Sequence, residues 1–205
     1  MPDPMTEVRV NNFDDLHRQF ATYLGQRRWL FRGLHGVSFP LVFRFGRKEY
    51  ARFPWKEMFG PWKRRAAEFV REQAQNDWDW MAIAQHHGLA SKLMDWSYNP
   101  LIACYFEVFR FINQDCVVYA FFSNRDIDPD KKTPEGFYGV ARFKPRGIAA
   151  RIIRQRGIFT YHNPENLDPQ EQLQTTERLD RIIITEEYRH RLIYELDHYG
   201  GLASC

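Results

Sequence analysis

Cys116–Ser123 reads CVVYAFFS, an almost unbroken apolar run of strand length. Such a run fits a strand buried on both faces, because a strand with one wet face alternates polar and apolar residues instead. A chain holding it must supply cover on two sides of a sheet. With 205 residues, 44% of them hydrophobic and 16% aromatic, it can bury a sizeable core. That length fits one domain, or one domain with a small subdomain.

The flanking pattern mixes helices and strands without strict alternation. Asn11-Asn12-Phe13-Asp14-Asp15 followed by Leu16, Phe20 and Leu24 predicts a helix within Val10–Leu24, with an asparagine cap and Gly25 as its stop. Arg28–Gly33 is a short aromatic run closed by glycine and reads as a strand. Helices are expected over Trp62–Ala74, over Met81–His87 with Gly88 as C-cap, and from Asn99-Pro100 through Val108. Strands are expected at Ser91–Trp96, Tyr138–Phe143, Gly157–Tyr161 and Leu179–Ile184, with RDIDPDKKTPEG as a polar hairpin loop after Ser123. Gly147–Gln155 reads as an amphipathic helix, and Asn163–Glu177 as a polar, mobile loop. Thr185-Glu186-Glu187 opens a last helix, with acids at its positive end. The expected class is α+β, a mixed, split sheet flanked by helices in a single domain over residues 1–205, with residues 1–10 as a flexible N-terminal extension.

Several function classes drop out. No stretch approaches the ~18 apolar residues of a membrane span; Leu101–Ile112 is broken by Glu107 and Arg110. MPDPMTEVRV has no basic start before an apolar run, so no secretory signal is read and the chain reads as cytoplasmic. Three cysteines without CxxC spacing exclude a zinc knuckle or a disulfide framework. No GxxxxGK[ST], GxGxxG or GxSxG is present, against a P-loop ATPase, a simple Rossmann dehydrogenase and an α/β hydrolase. The net charge of +3 is mildly basic. Arg44–Arg71 interleaves Lys and Arg with Phe45, Phe53, Trp55, Phe59 and Trp62, which fits either a nucleic-acid surface or an amphipathic segment with its aromatics in the core.

Three constellations can carry chemistry. Phe31-Arg32-Gly33 puts a cation among aromatics, where it needs an anion, with a glycine that lets a ligand approach. Arg32 either clamps a phosphate or carboxylate or pairs internally, for example with Asp95. Gln85–Ser97, QHHGLASKLMDWS, packs His86, His87, Ser91, Asp95 and Ser97 between apolar residues. Adjacent histidines on a helix project about 100° apart, so they make a poor metal pair, and no metal ligands are assigned. Asp95, between Met94 and Trp96, is expected to be buried with a partner. Arg151–Thr160, RIIRQRGIFT, places Arg151 and Gln155 on one helix face.

Together WLFRGL (Trp29–Leu34), Glu68, AIAQHHGLASKLMDWSYNPLIACYFEV (Ala82–Val108) and RIIRQRGIFT resemble the FRG-domain family, named for Phe-Arg-Gly. The middle segment follows the family's QH-x-G-x-x-T-x-L-x-D-W-T-x-x-P-x-x-A-x-x-F, with Ser91 and Ser97 in place of its two threonines. More distantly the chain is similar to ADP-ribosyltransferases, in which an aromatic-Arg-Gly strand grips NAD. That resemblance implies an NAD-dependent ADP-ribosyltransferase acting on a nucleic-acid or protein acceptor, as a toxin or phage-defence effector with an antitoxin partner, and no membrane partner. It implies NAD as substrate without a metal, held by Arg32, Gly33, His86, Ser91, Ser97 and Asp95, with Gln155, Glu187 and His87 in catalysis. These side chains are expected to converge on one cleft. The alternatives are a nucleic-acid-binding module, and a metal-independent nuclease or phosphotransferase using His86, His87 and Asp95.

Overall fold

The computed structural model describes residues 5–70, 74–108, 113–145, 157–163 and 177–200. The expected helix over Gly147–Gln155 lies outside them, as does nearly all of the expected loop over Asn163–Glu177. The class is the α+β one expected, with a mixed sheet of seven strands and five α-helices among the described residues. The chain forms two compact units, each assembled from separated segments.

The first unit comprises residues 1–41, 96–124 and 173–205. Its strands are β1 (Glu7–Val10), β2 (Trp29–Leu34), the end of β3 (Leu93–Ser97), β4 (Cys116–Phe122) and β7 (Arg178–Ile184). They run in the order β1-β7-β4-β2-β3, with β1 parallel to β7 and the other recorded pairings antiparallel. Residues 7–10 of the stretch read as an extension therefore form an edge strand. Helices α1 (Phe13–Ala21), α4 (Pro100–Val108) and α5 (Glu186–Gly200) pack on one face. Leu16 and Phe20 from α1, Ala103, Cys104 and Val108 from α4, and Tyr188, Leu192 and Leu196 from α5 meet Phe31, Cys116, Val118, Ala120, Ile182 and Ile184 of the sheet.

Because side chains alternate along a strand, Leu30, Val117, Phe121, Leu179 and Ile183 belong to the opposite face, and all of them are buried. The double-sided burial expected of CVVYAFFS is thus observed. Caps follow the sequence: Asn12 accepts from the Asp15 amide at 2.8 Å and Asn99 from the Leu101 amide at 2.9 Å. Thr185 N–H donates to the Val10 carbonyl, which fixes where β7 gives way to α5.

The second unit comprises residues 42–95 and 125–172. It contains α2 (Trp55–Ala66), α3 (Asp77–His86), the start of β3, β6 (Gly157–Asn163) and β5 (Gly139–Phe143), with strand order β3-β6-β5. Two expectations are corrected here. Helix α2 begins at Trp55 rather than Trp62, because Trp55 and Phe59, one turn apart, both reach the core and outweigh Gly60-Pro61. Moreover, β4 and β5 are not hairpin partners. The edges of β4 are taken by β2 and β7, and β5 pairs with β6 instead. Gly88 ends α3 as expected, at φ +87°, a conformation that costs glycine little.

Candidate functional site

In the first unit the site is built on β2. Phe31 points into the helix-side core, edge-on to Phe20 and Tyr23 with ring centroids 6.1 and 5.5 Å away. That anchors the strand's orientation, so Arg32 belongs to the opposite face. Gly33 is buried and Arg32 partly buried. In register, Arg32 lies opposite Tyr119 of β4, Tyr119 opposite Arg181 of β7, and Arg181 opposite Glu7 of β1. Four strands therefore carry one polar row, Glu7–Arg181–Tyr119–Arg32, across a face otherwise lined by Leu30, Val117, Phe121, Leu179 and Ile183. Arg181 Nη1 donates to Glu7 at 2.7 Å, and its guanidinium carbon lies 5.9 Å from the Tyr119 ring centroid.

Ser97 of β3 pairs with Phe31. Its hydroxyl oxygen accepts from the Asn99 amide at 2.9 Å, turning the chain into α4, and the residue is buried. Arg32, Gly33 and Ser97 thus lie on adjacent strands. Glu187 is exposed in the first turn of α5. Since α5 packs on the face opposite Arg32, these two are not brought together.

In the second unit Gln85 organises the motif around α3. Its amide nitrogen donates to Asp95, and its carbonyl accepts from the Ser91 hydroxyl, whose oxygen in turn accepts from the Leu93 amide at 3.0 Å. Ser91 is buried. Asp95 is exposed, which corrects the expectation of burial. Alternation in β3 puts Met94 and Trp96 on one buried face and turns Asp95 to the other, where its carboxylate stays at the surface, held by Gln85. His86 and His87 are exposed at the end of α3, their rings edge-to-face at 5.3 Å. No group of three metal-ligating side chains occurs among the described residues. Gln155 lies outside the described residues, as do Arg151, Arg154 and Arg156.

The basic and aromatic segment after Leu41 divides as an amphipathic surface does. Phe43, Phe45, Trp55 and Phe59 are buried, Trp55 and Phe59 stack at 4.9 Å, and Phe45 meets Trp55 edge-on at 5.2 Å. Arg44 donates to the Gly88 carbonyl at 2.8 Å, and Lys63 pairs with Asp77. Phe53 remains exposed. Most of these rings therefore cannot stack on bases without unfolding the core.

Sequence reasoning missed three features. Arg181, Tyr119 and Glu7 were passed over, although an arginine before Ile-Ile-Ile in β7 is a visible break in an apolar run. Glu177 is buried and accepts from the Ser123 hydroxyl at 2.7 Å, and its place in a polar stretch gave no signal. His162 is buried, stacked on Phe43 at 4.9 Å and 2.7 Å from the Thr160 hydroxyl. Beside β6 a concavity of about 300 Å³ is lined by Trp55, Lys56, Lys92, Glu135 and Tyr161.

The fold and this strand define an α+β protein that presents one arginine between an aromatic core residue and a buried glycine. The family model of the FRG domain matches residues 27–115, spanning β2 through the start of α4 and on to Asp115. Residues 27–115 thus carry an FRG domain. No curated protein matches it, and no solved structure does. No helix among the described residues is long and apolar enough to cross a membrane.

Proposed function

We propose that this chain transfers ADP-ribose from NAD to a macromolecular acceptor, with Arg32 as the cation that grips the diphosphate. The observation that carries the reading is the setting of Arg32. It is fixed on β2 by Phe31 on the helix side, flanked by a buried glycine, and set in register with an aromatic ring on the neighbouring strand. A guanidinium so placed offers planar, paired donors to a phosphate, which a lysine cannot. The transfer breaks the C1′–N glycosidic bond. Its electron pair leaves with nicotinamide, and the acceptor's nucleophile bonds to C1′ and gives up its proton. An amide or acid must orient that nucleophile, and Gln155 is kept for this role; Glu187, on the far face of the sheet from Arg32, is not. A role as a toxin or phage-defence effector, held in check by an antitoxin, would suit such chemistry.

The test incubates the purified chain with radiolabelled NAD and, separately, with protein and RNA fractions of a cell extract. The expected result is nicotinamide release and label carried into one fraction, both lost in Arg32→Gln and in Arg32→Lys. Equal release by Arg32→Gln would remove the reading.

A further inference from the structure

The proposed reading gives the diphosphate a single cation, yet the row on which Arg32 sits holds two. Adjacent strands lie about 4.8 Å apart, so the Cα atoms of Arg32 and Arg181, two strands apart, are separated by roughly 10 Å with Tyr119 midway. Arg181 leans over that ring rather than standing clear of it, since its guanidinium carbon lies 5.9 Å from the Tyr119 centroid. One Nη is held by Glu7 at 2.7 Å. The Nε is buried and has no hydrogen-bond partner among the described residues. A buried N–H left unpaired is costly, and most such donors have an acceptor. Glu7 itself is 42% exposed by side chain, whereas Arg181 is 21%. The carboxylate is thus the better solvated of the pair and can release the guanidinium to another acceptor.

Resting on the reading above, we infer that Arg181 is a second binding residue for the diphosphate of the same ligand, working with Arg32 across Tyr119, and that Glu7 competes with the ligand for it. A diphosphate carries two adjacent anionic centres. It suits two arginines set in register on either side of one aromatic residue better than a single carboxylate or monophosphate does. Glu7 neutralises Arg181 until an anion with more charge displaces it.

The test is calorimetric titration of ADP-ribose, and of adenosine as a probe lacking the diphosphate, into the wild-type chain, Arg181→Gln, Arg181→Lys, Glu7→Gln and Arg32→Gln. Arg181→Gln should weaken ADP-ribose binding about tenfold or more, in keeping with the loss of a charge-assisted bond. Arg181→Lys should not restore it, and adenosine binding should be unchanged. Glu7→Gln, at a partly exposed position on an edge strand, should fold normally and tighten ADP-ribose binding severalfold. The inference is overturned, with the proposed function intact, if Arg32→Gln loses binding while Arg181→Gln and Glu7→Gln both titrate like the wild type. It is equally overturned if Glu7→Gln binds more weakly. A wild-type chain that binds neither ADP-ribose nor NAD overturns the proposed function and this inference together.

Discussion

Gln85 donates its side-chain amide to Asp95, and the carbonyl of the same amide takes the hydroxyl of Ser91. The two ends differ in environment, since Asp95 is exposed and Ser91 fully buried. Loss of the Asp95 charge should therefore cost little: Asp95→Asn keeps an acceptor oxygen and should change stability by less than ~0.5 kcal/mol, as surface substitutions do. Gln85→Leu leaves a buried hydroxyl without its acceptor and should cost about 1–3 kcal/mol. Urea unfolding of the two variants checks the order, and equal losses would contradict it.

Arg189 is a second test of polar groups inside the fold. It is 1% exposed and donates to the carbonyls of His35 at 3.0 Å, Gln114 at 3.1 Å and Val108 at 3.5 Å. One guanidinium thus ties α5 to the end of α4 and to the loop leaving β2. Arg189→Met removes these donors at once and should lower stability by about 3 kcal/mol, within the range for breaking buried charged networks. Arg189→Lys should recover little, because an ammonium cannot reach three diverging carbonyls. Chemical denaturation reads both.

Tyr23 gives the fold an alkaline limit. Burial pushes its phenol up from 10.0 to about 12, while the hydrogen bond from Gln19 acts the other way and the nearby Asp180 carboxylate adds to the rise. The folded state therefore favours the neutral phenol. Its contribution is fully present below pH 10 and is lost as pH climbs through about 12. Melting temperature followed from pH 9 to 12 should fall more steeply for the wild type than for Tyr23→Phe, which lacks the titrating group. Parallel curves would contradict this.

The fold was legible where one residue type dictates one local outcome. Asn12, Asn99 and Gly88 mark helix ends by side-chain hydrogen bonding and by positive φ, and the structure uses all three. CVVYAFFS announced a doubly covered strand by composition alone. Pairing was not legible in the same way. Polar residues after Ser123 suggest a hairpin, but nothing local records that β2 and β7, distant in sequence, already occupy both edges of β4. The same holds for the site. Arg32 stands out because Phe and Gly flank it, whereas Arg181 and Glu7 become its neighbours only through strand register. Asp95 misled because apolar sequence neighbours in a strand point away from the residue between them.

The central claim is that Arg32 exists to bind an anionic ligand rather than to hold the fold together. Calorimetric titration of NAD into the wild-type chain and into Arg32→Gln and Arg32→Lys, with the melting temperature of each, tests it most directly. The account predicts saturable binding by the wild type, a loss of about a hundredfold or more in both variants, and melting temperatures within ~4 °C of one another. Equal NAD binding by Arg32→Gln, or no binding by the wild type together with a collapse of stability in Arg32→Gln, would contradict it.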